Sequence, residues 1–174
     1  MISNKDFFNN SKMLPVDKFI ENVLYDKKAG YYSSKIPFGK TGDFLTAPGI
    51  SNLFSEMIGI WLISTWDTLG RPKKFNIVEL GPGDGSLAKI LLRTFQQFPV
   101  FNKSVNIFLY EKSNLLKNLQ KKKINNLKVK WIKNFTCIKK GPVIFFGNEF
   151  FDAIPVKQFS RKKKSFVRKI LFIK

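Results

Sequence analysis

The chain has no histidine, a single cysteine and only 12 acidic residues against 31 basic ones. Without an imidazole there is no histidine-based triad, and one cysteine builds neither a disulfide framework nor a cysteine–histidine metal site. Acid–base chemistry therefore falls to carboxylates, tyrosine or lysine. Cys137, between Thr136 and Ile138 and with no base to activate it, reads as a small buried apolar residue rather than a nucleophile. No apolar run approaches the roughly 18 residues that a membrane span needs. Residues 1–10 include Asp6 and lack the apolar stretch of a signal peptide, so a cytoplasmic protein with no membrane span is expected.

What is present suits one domain with a core: 174 residues, 44% of them hydrophobic. The formal charge of +19 raises the question of a nucleic-acid partner. Of the 31 basic residues, 27 are lysine, whereas phosphate and base recognition favours the planar fork of arginine. A solvated basic surface is the favoured reading, with nucleic acid a less favoured alternative. The runs Lys121-Lys122-Lys123 and Arg161-Lys162-Lys163-Lys164 fall at helix-end and turn positions, where solvated charge is expected.

Along the chain, Val16, Phe19, Ile20, Val23 and Leu24 repeat at helical spacing, predicting an amphipathic helix that ends near Asp26. Tyr31 to Pro48 is a long loop rich in Gly, Pro, Ser and Thr. Gly39-Lys40-Thr41 looks like the end of a P-loop, but Ser34 stands where the first glycine belongs and the flanks are wrong, so that reading is rejected. A helix is expected over Ile50 to Thr68, with Leu53, Phe54, Met57, Ile58, Trp61 and Leu62 on or near its buried face. Strands are predicted at Phe75–Leu80, Val105–Tyr110, Lys128–Ile132 and Val143–Phe146. The helices between them bury Leu87, Ile90, Leu91 and Phe95 in one case and Leu115, Leu116 and Leu119 in another. Such alternation is an α/β pattern with a parallel sheet. Val156–Phe159 and Phe166–Ile173, flanking the basic turn, predict an antiparallel hairpin that leaves the sheet, with the final apolar residues as an exposed strand edge.

The densest signal is Val78-Glu79-Leu80-Gly81-Pro82-Gly83-Asp84-Gly85-Ser86, which reads as a strand, a glycine turn and a helix. Alternate glycines let the backbone turn sharply and let a ligand approach closely. Glu79 on the first strand and Glu111 at the end of the second are acids placed as in nucleotide sites, where an acid can accept from both ribose hydroxyls. A pyrophosphate would be repelled by Glu79 and Asp84, and Gly81-x-Gly83-x-Gly85 departs from the dinucleotide fingerprint. S-adenosylmethionine, with a sulfonium, an amino group and no phosphate, suits these residues better than NAD. A second cluster, Asn148-Glu149-Phe150-Phe151-Asp152, follows the fourth strand. In a helical turn Glu149 and Asp152 would share a face and could clamp a cation; alternatively Asn148 caps a helix whose dipole the acids favour.

These motifs together resemble the MidA-like methyltransferases, whose mitochondrial members are complex I assembly factors that methylate protein arginine. The likeness runs through Ala29-Gly30-Tyr31-Tyr32, Pro37-Phe38-Gly39, Gly42-Asp43-Phe44-Leu45-Thr46-Ala47-Pro48, Gly59-Ile60-Trp61, Glu79 to Gly85, Tyr110-Glu111-Lys112-Ser113, Gln120 and Asn148 to Pro155. It implies a Rossmann-like class I methyltransferase sheet, of which the chain carries the first four parallel strands, with an N-terminal helical extension and the start of an inserted β-hairpin. The corresponding segments are 1–72, 73–155 and 156–174, and the resemblance places the sheet's later strands beyond Lys174. It implies an S-adenosylmethionine site from Asp43, Thr46, Glu79, Gly81, Gly83, Asp84, Gly85, Glu111, Lys112 and Asn148, with the Asp43 loop folding over it. Asn148, Glu149 and Asp152 would lie beside the transferred methyl, and Gly49 stands where the family usually has Glu. The implied substrate is a protein side chain, arginine foremost, with a respiratory complex I subunit as the partner the family suggests. Two alternatives stand beside this: a nucleic-acid amino-group methyltransferase, and an inactive fragment serving as an assembly or binding partner.

Overall fold

The computed structural model describes residues 13–38, 42–44, 46–138 and 140–172. Gly39, Lys40 and Thr41 of the rejected P-loop likeness, Leu45 and Ile173 lie outside the described residues. In chain order the elements are β1 (Met13–Pro15), α1 (Val16–Tyr25), α2 (Tyr31–Ser34), α3 (Ala47–Ile50), α4 (Asn52–Thr68), β2 (Phe75–Leu80), α5 (Ser86–Gln96), α6 (Pro99–Ser104), β3 (Val105–Tyr110), α7 (Asn114–Ile124), β4 (Val129–Ile132), β5 (Val143–Phe146), a 3-10 turn (Phe151–Ala153), β6 (Phe159–Lys162), β7 (Ser165–Arg168) and β8 (Ile170–Phe172). They fall into two compact units, one of residues 36–148 and one joining the chain up to Lys35 with the chain from Glu149.

The unit of residues 36–148 is built on a parallel sheet in the order β4-β3-β2-β5. This is the parallel sheet expected from the alternation of strands and helices, and it has the four strands of the Rossmann-like half-sheet that the family resemblance implies. β2 is central and its residues Phe75 to Glu79 are all buried, as a strand covered on both faces must be. Asn76, polar within that run, donates from Nδ2 to the Lys140 carbonyl at 2.8 Å and accepts from Asn106 Nδ2 at 3.1 Å, so its burial leaves no unmet amide group. Leu87, Ile90, Leu91 and Phe95 of α5 are buried as their spacing predicts. α6, which the sequence reading missed, contributes Phe101, whose ring packs edge-on to Phe95 (4.8 Å between centroids) and Trp66 (5.4 Å).

α4 turns a different face inward from the one its apolar residues suggest. Ser51 breaks the expected helix, accepting from the Leu53 amide as the N-cap. The buried positions are Ser55, Gly59, Leu62 and Trp66. Leu53, Met57 and Trp61, expected in the core, are 63%, 62% and 54% exposed. Close approach decides the face: a Cβ on Gly59 would stand 3.0 Å from Thr94 Cγ2 of α5, so the helices pack where their side chains are smallest. α7 corrects the reading similarly, for Leu116, Gln120 and Ile124 are buried, while Leu115 is 37% exposed. Cys137, expected to be buried, is exposed.

In the other unit, α1 forms where the periodicity placed it, but its apolar residues are only half-buried and its buried residue is Asp17. Both Asp17 carboxylate oxygens accept from Arg168 Nη2, at 2.7 and 2.6 Å. The hairpin β6–β7 is antiparallel, as expected, but begins at Phe159 and turns at Lys163 and Lys164, leaving Arg161 and Lys162 in the strand. The terminal apolar run is not an unpaired edge: β8 pairs antiparallel with β1, Leu14 opposite Leu171. No helix among the described residues is long and apolar enough to cross a membrane.

Candidate nucleotide-cofactor site

Parallel pairing of β2 with β3 sets Leu80 opposite Tyr110, which brings the glycine turn and Glu111 level with each other at the carboxyl ends of the two central strands. The Gly81 amide donates to the Tyr110 carbonyl at 3.0 Å. Gly81, Gly83 and Gly85 all adopt left-handed backbone, with φ of 62°, 55° and 79°. Side-chain-bearing residues would be strained at all three positions. At Gly85 a Cβ would in addition stand 3.3 Å from both Gln120 Cγ and Ile124 Cδ1.

Glu79 ends the buried run of β2 at 3% exposure, and its Oε2 has no hydrogen-bond partner. Burial, reinforced by the nearby charges of Asp84 and Glu111, pushes its pKa up to about 8. Asp84 has another fate. Its Oδ1 accepts from the Ser86 amide at 3.0 Å, and its Oδ2 accepts from Ser86 Oγ at 2.8 Å and Lys123 Nζ at 2.6 Å. Burial acts to raise its pKa, but Lys123 and the Ser86 hydrogen bonds outweigh that and leave the carboxyl below its ordinary value. Asp84 thus satisfies the start of α5, where Gly85 at the N-cap has no side chain to do so. Lys123, read from the sequence as part of a solvated run, is an ion-pair partner at the site.

Glu111 accepts from the Ser113 amide at 2.8 Å through Oε1 and from Gln120 Nε2 at 3.1 Å through Oε2. Burial raises its pKa, and those two hydrogen bonds partly offset the rise. Lys112, the next residue, is exposed. Of the loop residues, Asp43 is exposed and Thr46 half-buried, with the Thr46 carbonyl accepting from Gly49 N at 2.8 Å to start α3. The loop is closed on itself by a bridge between Phe38 and Phe44. It reaches the glycine turn through Phe38, whose ring lies 3.5 Å from where a Gly83 Cβ would be.

Asn148 is half-buried, two residues beyond β5 and the last residue of the sheet's unit. Glu149 and Asp152 belong to the other unit and are exposed. The helix expected of their spacing is a single 3-10 turn, and Glu149 precedes it with left-handed backbone at φ 55°. The shared helical face is therefore not formed, nor is a helix start capped by Asn148, because the turn's N-cap is Phe150 with no side-chain cap. Sequence reasoning gave Gln120 no role and treated Lys123 as surface charge. The available signal was a polar residue on the buried i, i+4 stripe Leu116, Gln120, Ile124.

Two carboxylates at the ends of adjacent parallel strands, over a turn of left-handed glycines, define a Rossmann-like protein of the nucleotide-cofactor class. The chain belongs to the family described as "Putative S-adenosyl-L-methionine-dependent methyltransferase", whose profile matches residues 57–173. Among curated relatives, the protein arginine methyltransferase NDUFAF7 homolog, mitochondrial, of Drosophila melanogaster is 34% identical across 82% of this chain and 38% of its own length. The human protein arginine methyltransferase NDUFAF7, mitochondrial, is 31% identical across 85% of this chain and 39% of its own. A COG1565 superfamily member from Burkholderia thailandensis, solved bound to S-adenosyl-homocysteine, superposes with a TM-score of 0.76 at 22% identity, covering 100% of this chain and 50% of that one. The chain thus spans about two fifths of these curated relatives' length and half of that solved chain.

Proposed function

We propose that this chain binds S-adenosylmethionine and takes part in methyl transfer to a protein side chain, arginine foremost. The observation that carries the reading is the buried, unpartnered Oε2 of Glu79 beside Glu111 and the left-handed glycine turn. An orphaned buried carboxylate oxygen suits a ligand bearing positive charge, and bare glycine backbone suits a ligand that approaches closely. The family membership and the printed names of the relatives support the same reaction class.

In this reading Glu79 faces the cationic amino-acid end of the cofactor, and Glu111 accepts from the ribose hydroxyls. Gly81, Gly83 and Gly85 provide close backbone, with Asp84 fixing the turn and Asp43, Thr46, Lys112 and Asn148 completing the surround. The bound cofactor supplies an electrophilic methyl carbon on sulfur. With that cofactor bound, in-line attack by a guanidinium nitrogen would form the N–C bond as the C–S bond breaks, S-adenosyl-homocysteine would leave, and the nitrogen's proton would pass to a carboxylate, the role the family resemblance gives to Glu149 and Asp152. A respiratory complex I subunit as target rests on the family resemblance alone. The curated relatives carry the word mitochondrial in their names, so the cytoplasmic expectation does not extend to them. Calorimetric titration of S-adenosylmethionine into the chain and into Glu111→Ala tests the cofactor assignment: saturable binding lost in the variant supports it, and equal binding by both removes Glu111 from the site.

A further inference from the structure

Gln120 is 0% exposed, and its amide NH2 group is directed at the site. Its Nε2 donates to the Gly83 carbonyl at 2.8 Å and to Glu111 Oε2 at 3.1 Å, while its Oε1 accepts from Trp131 Nε1 at 2.9 Å. One side chain on α7 thus joins the glycine turn, the acid after β3 and the edge strand β4.

The chemistry fixes which way the amide faces. An indole N–H can only donate, so the atom opposite Trp131 must be the amide oxygen, and the NH2 group must face Gly83 and Glu111. A glutamate at 120 would set an acceptor against the Gly83 carbonyl and a like charge against Glu111. An apolar residue would leave the Trp131 donor and the Gly83 acceptor without this partner. Gly85 makes room for the arrangement, since a Cβ there would press on Gln120 Cγ at 3.3 Å. With Ser113 N on Oε1 and Gln120 on Oε2, each Glu111 oxygen is held from the protein side and keeps acceptor capacity for a ligand.

We infer that Gln120 is a positioning residue for cofactor binding: anchored by Trp131, it fixes the Glu111 carboxylate relative to the Gly83 carbonyl so that Glu111 meets the two ribose hydroxyls. This rests on the assignment of Glu111 as the ribose acceptor. The relay is separable from simple core packing because it predicts a loss confined to ligands that have those hydroxyls.

The test is calorimetric titration of two probes, S-adenosyl-homocysteine and its 2′,3′-dideoxyribose analogue, into the unmodified chain, Gln120→Met and Glu111→Ala. Gln120→Met is expected to weaken S-adenosyl-homocysteine about 10-fold, in the range of one hydrogen bond to a charged group, and to change the dideoxy analogue by less than about 2-fold. Equal weakening of both probes, or none, would show that Gln120 only supports the fold and overturns the proposal while leaving Glu111 in place. Glu111→Ala binding both probes like the unmodified chain, or an unmodified chain that binds neither, overturns the Glu111 assignment and the proposal with it. Should Gln120→Met fail to fold, Trp131→Phe removes the indole donor while keeping an aromatic ring against the core. That variant is expected to give the same selective loss at about 3-fold, and an unchanged probe preference would overturn the relay.

Discussion

At neutral pH the free chain holds Glu79 mostly protonated, because burial and the neighbouring carboxylates push its pKa up to about 8. A cationic ligand favours the ionised form, so binding S-adenosylmethionine near pH 7 is expected to release a proton. Affinity should rise with pH until about 8 and then level off, and Glu79→Gln should abolish the rise. Calorimetry in buffers of different ionisation enthalpy reads the proton directly, and a heat independent of buffer would contradict the placement of Glu79. The same shift has a stability consequence. A pKa raised above its ordinary 4.5 contributes stability that is present below that pH and is lost as pH rises towards about 8. Glu79→Gln is therefore expected to raise the thermal midpoint at pH 9 more than at pH 5, as scanning calorimetry would show. Glu79 and Glu111 were legible in the sequence because each ends an apolar run. Gln120 was legible only as a position of the family likeness and not by its role, because it lies among Lys117, Lys121, Lys122 and Lys123, and the charges hide its place on the buried stripe.

Among the elements, α4 shows how an apolar helix misleads. Its residues are apolar around much of the circumference, so periodicity alone could not choose the packed face. Gly59 chose it, by allowing α5 to approach. Gly59→Leu is expected to lower stability by about 1–3 kcal/mol through overpacking, measured by chemical denaturation. Met57→Lys, on the exposed face, is expected to change stability by no more than about 0.5 kcal/mol. A large loss there would mean that Met57 is covered. From Thr41 to Gly70 the sequence has no lysine or arginine, in a chain with 31 of them. The apolar character of α4 therefore persists against the bias of the whole composition. The four parallel strands were legible for the opposite reason: short apolar runs spaced by crossover-length segments admit few other arrangements.

Across the whole molecule, what the sequence withheld was long-range. β1 meets β8, and Asp17 meets Arg168 across 151 positions, so no local pattern announces either contact. Arg168 beside Asp17 holds its carboxyl below the ordinary range, so this contribution is present above the unfolded pKa and is lost as pH falls through the folded one. Acidification, or Asp17→Asn at neutral pH, is expected to speed amide exchange in α1 and β7. The net charge of +19 sits on a largely lysine population, and the acids of the candidate cofactor site, Glu79 and Glu111, lie at the carboxyl ends of the two central strands. The most direct test of the central claim is calorimetric titration of S-adenosylmethionine into the 174-residue chain with Glu111→Ala alongside. The structure predicts saturable binding that the variant loses. A folded chain that takes up no cofactor, or a variant that binds as well as its parent, would contradict it.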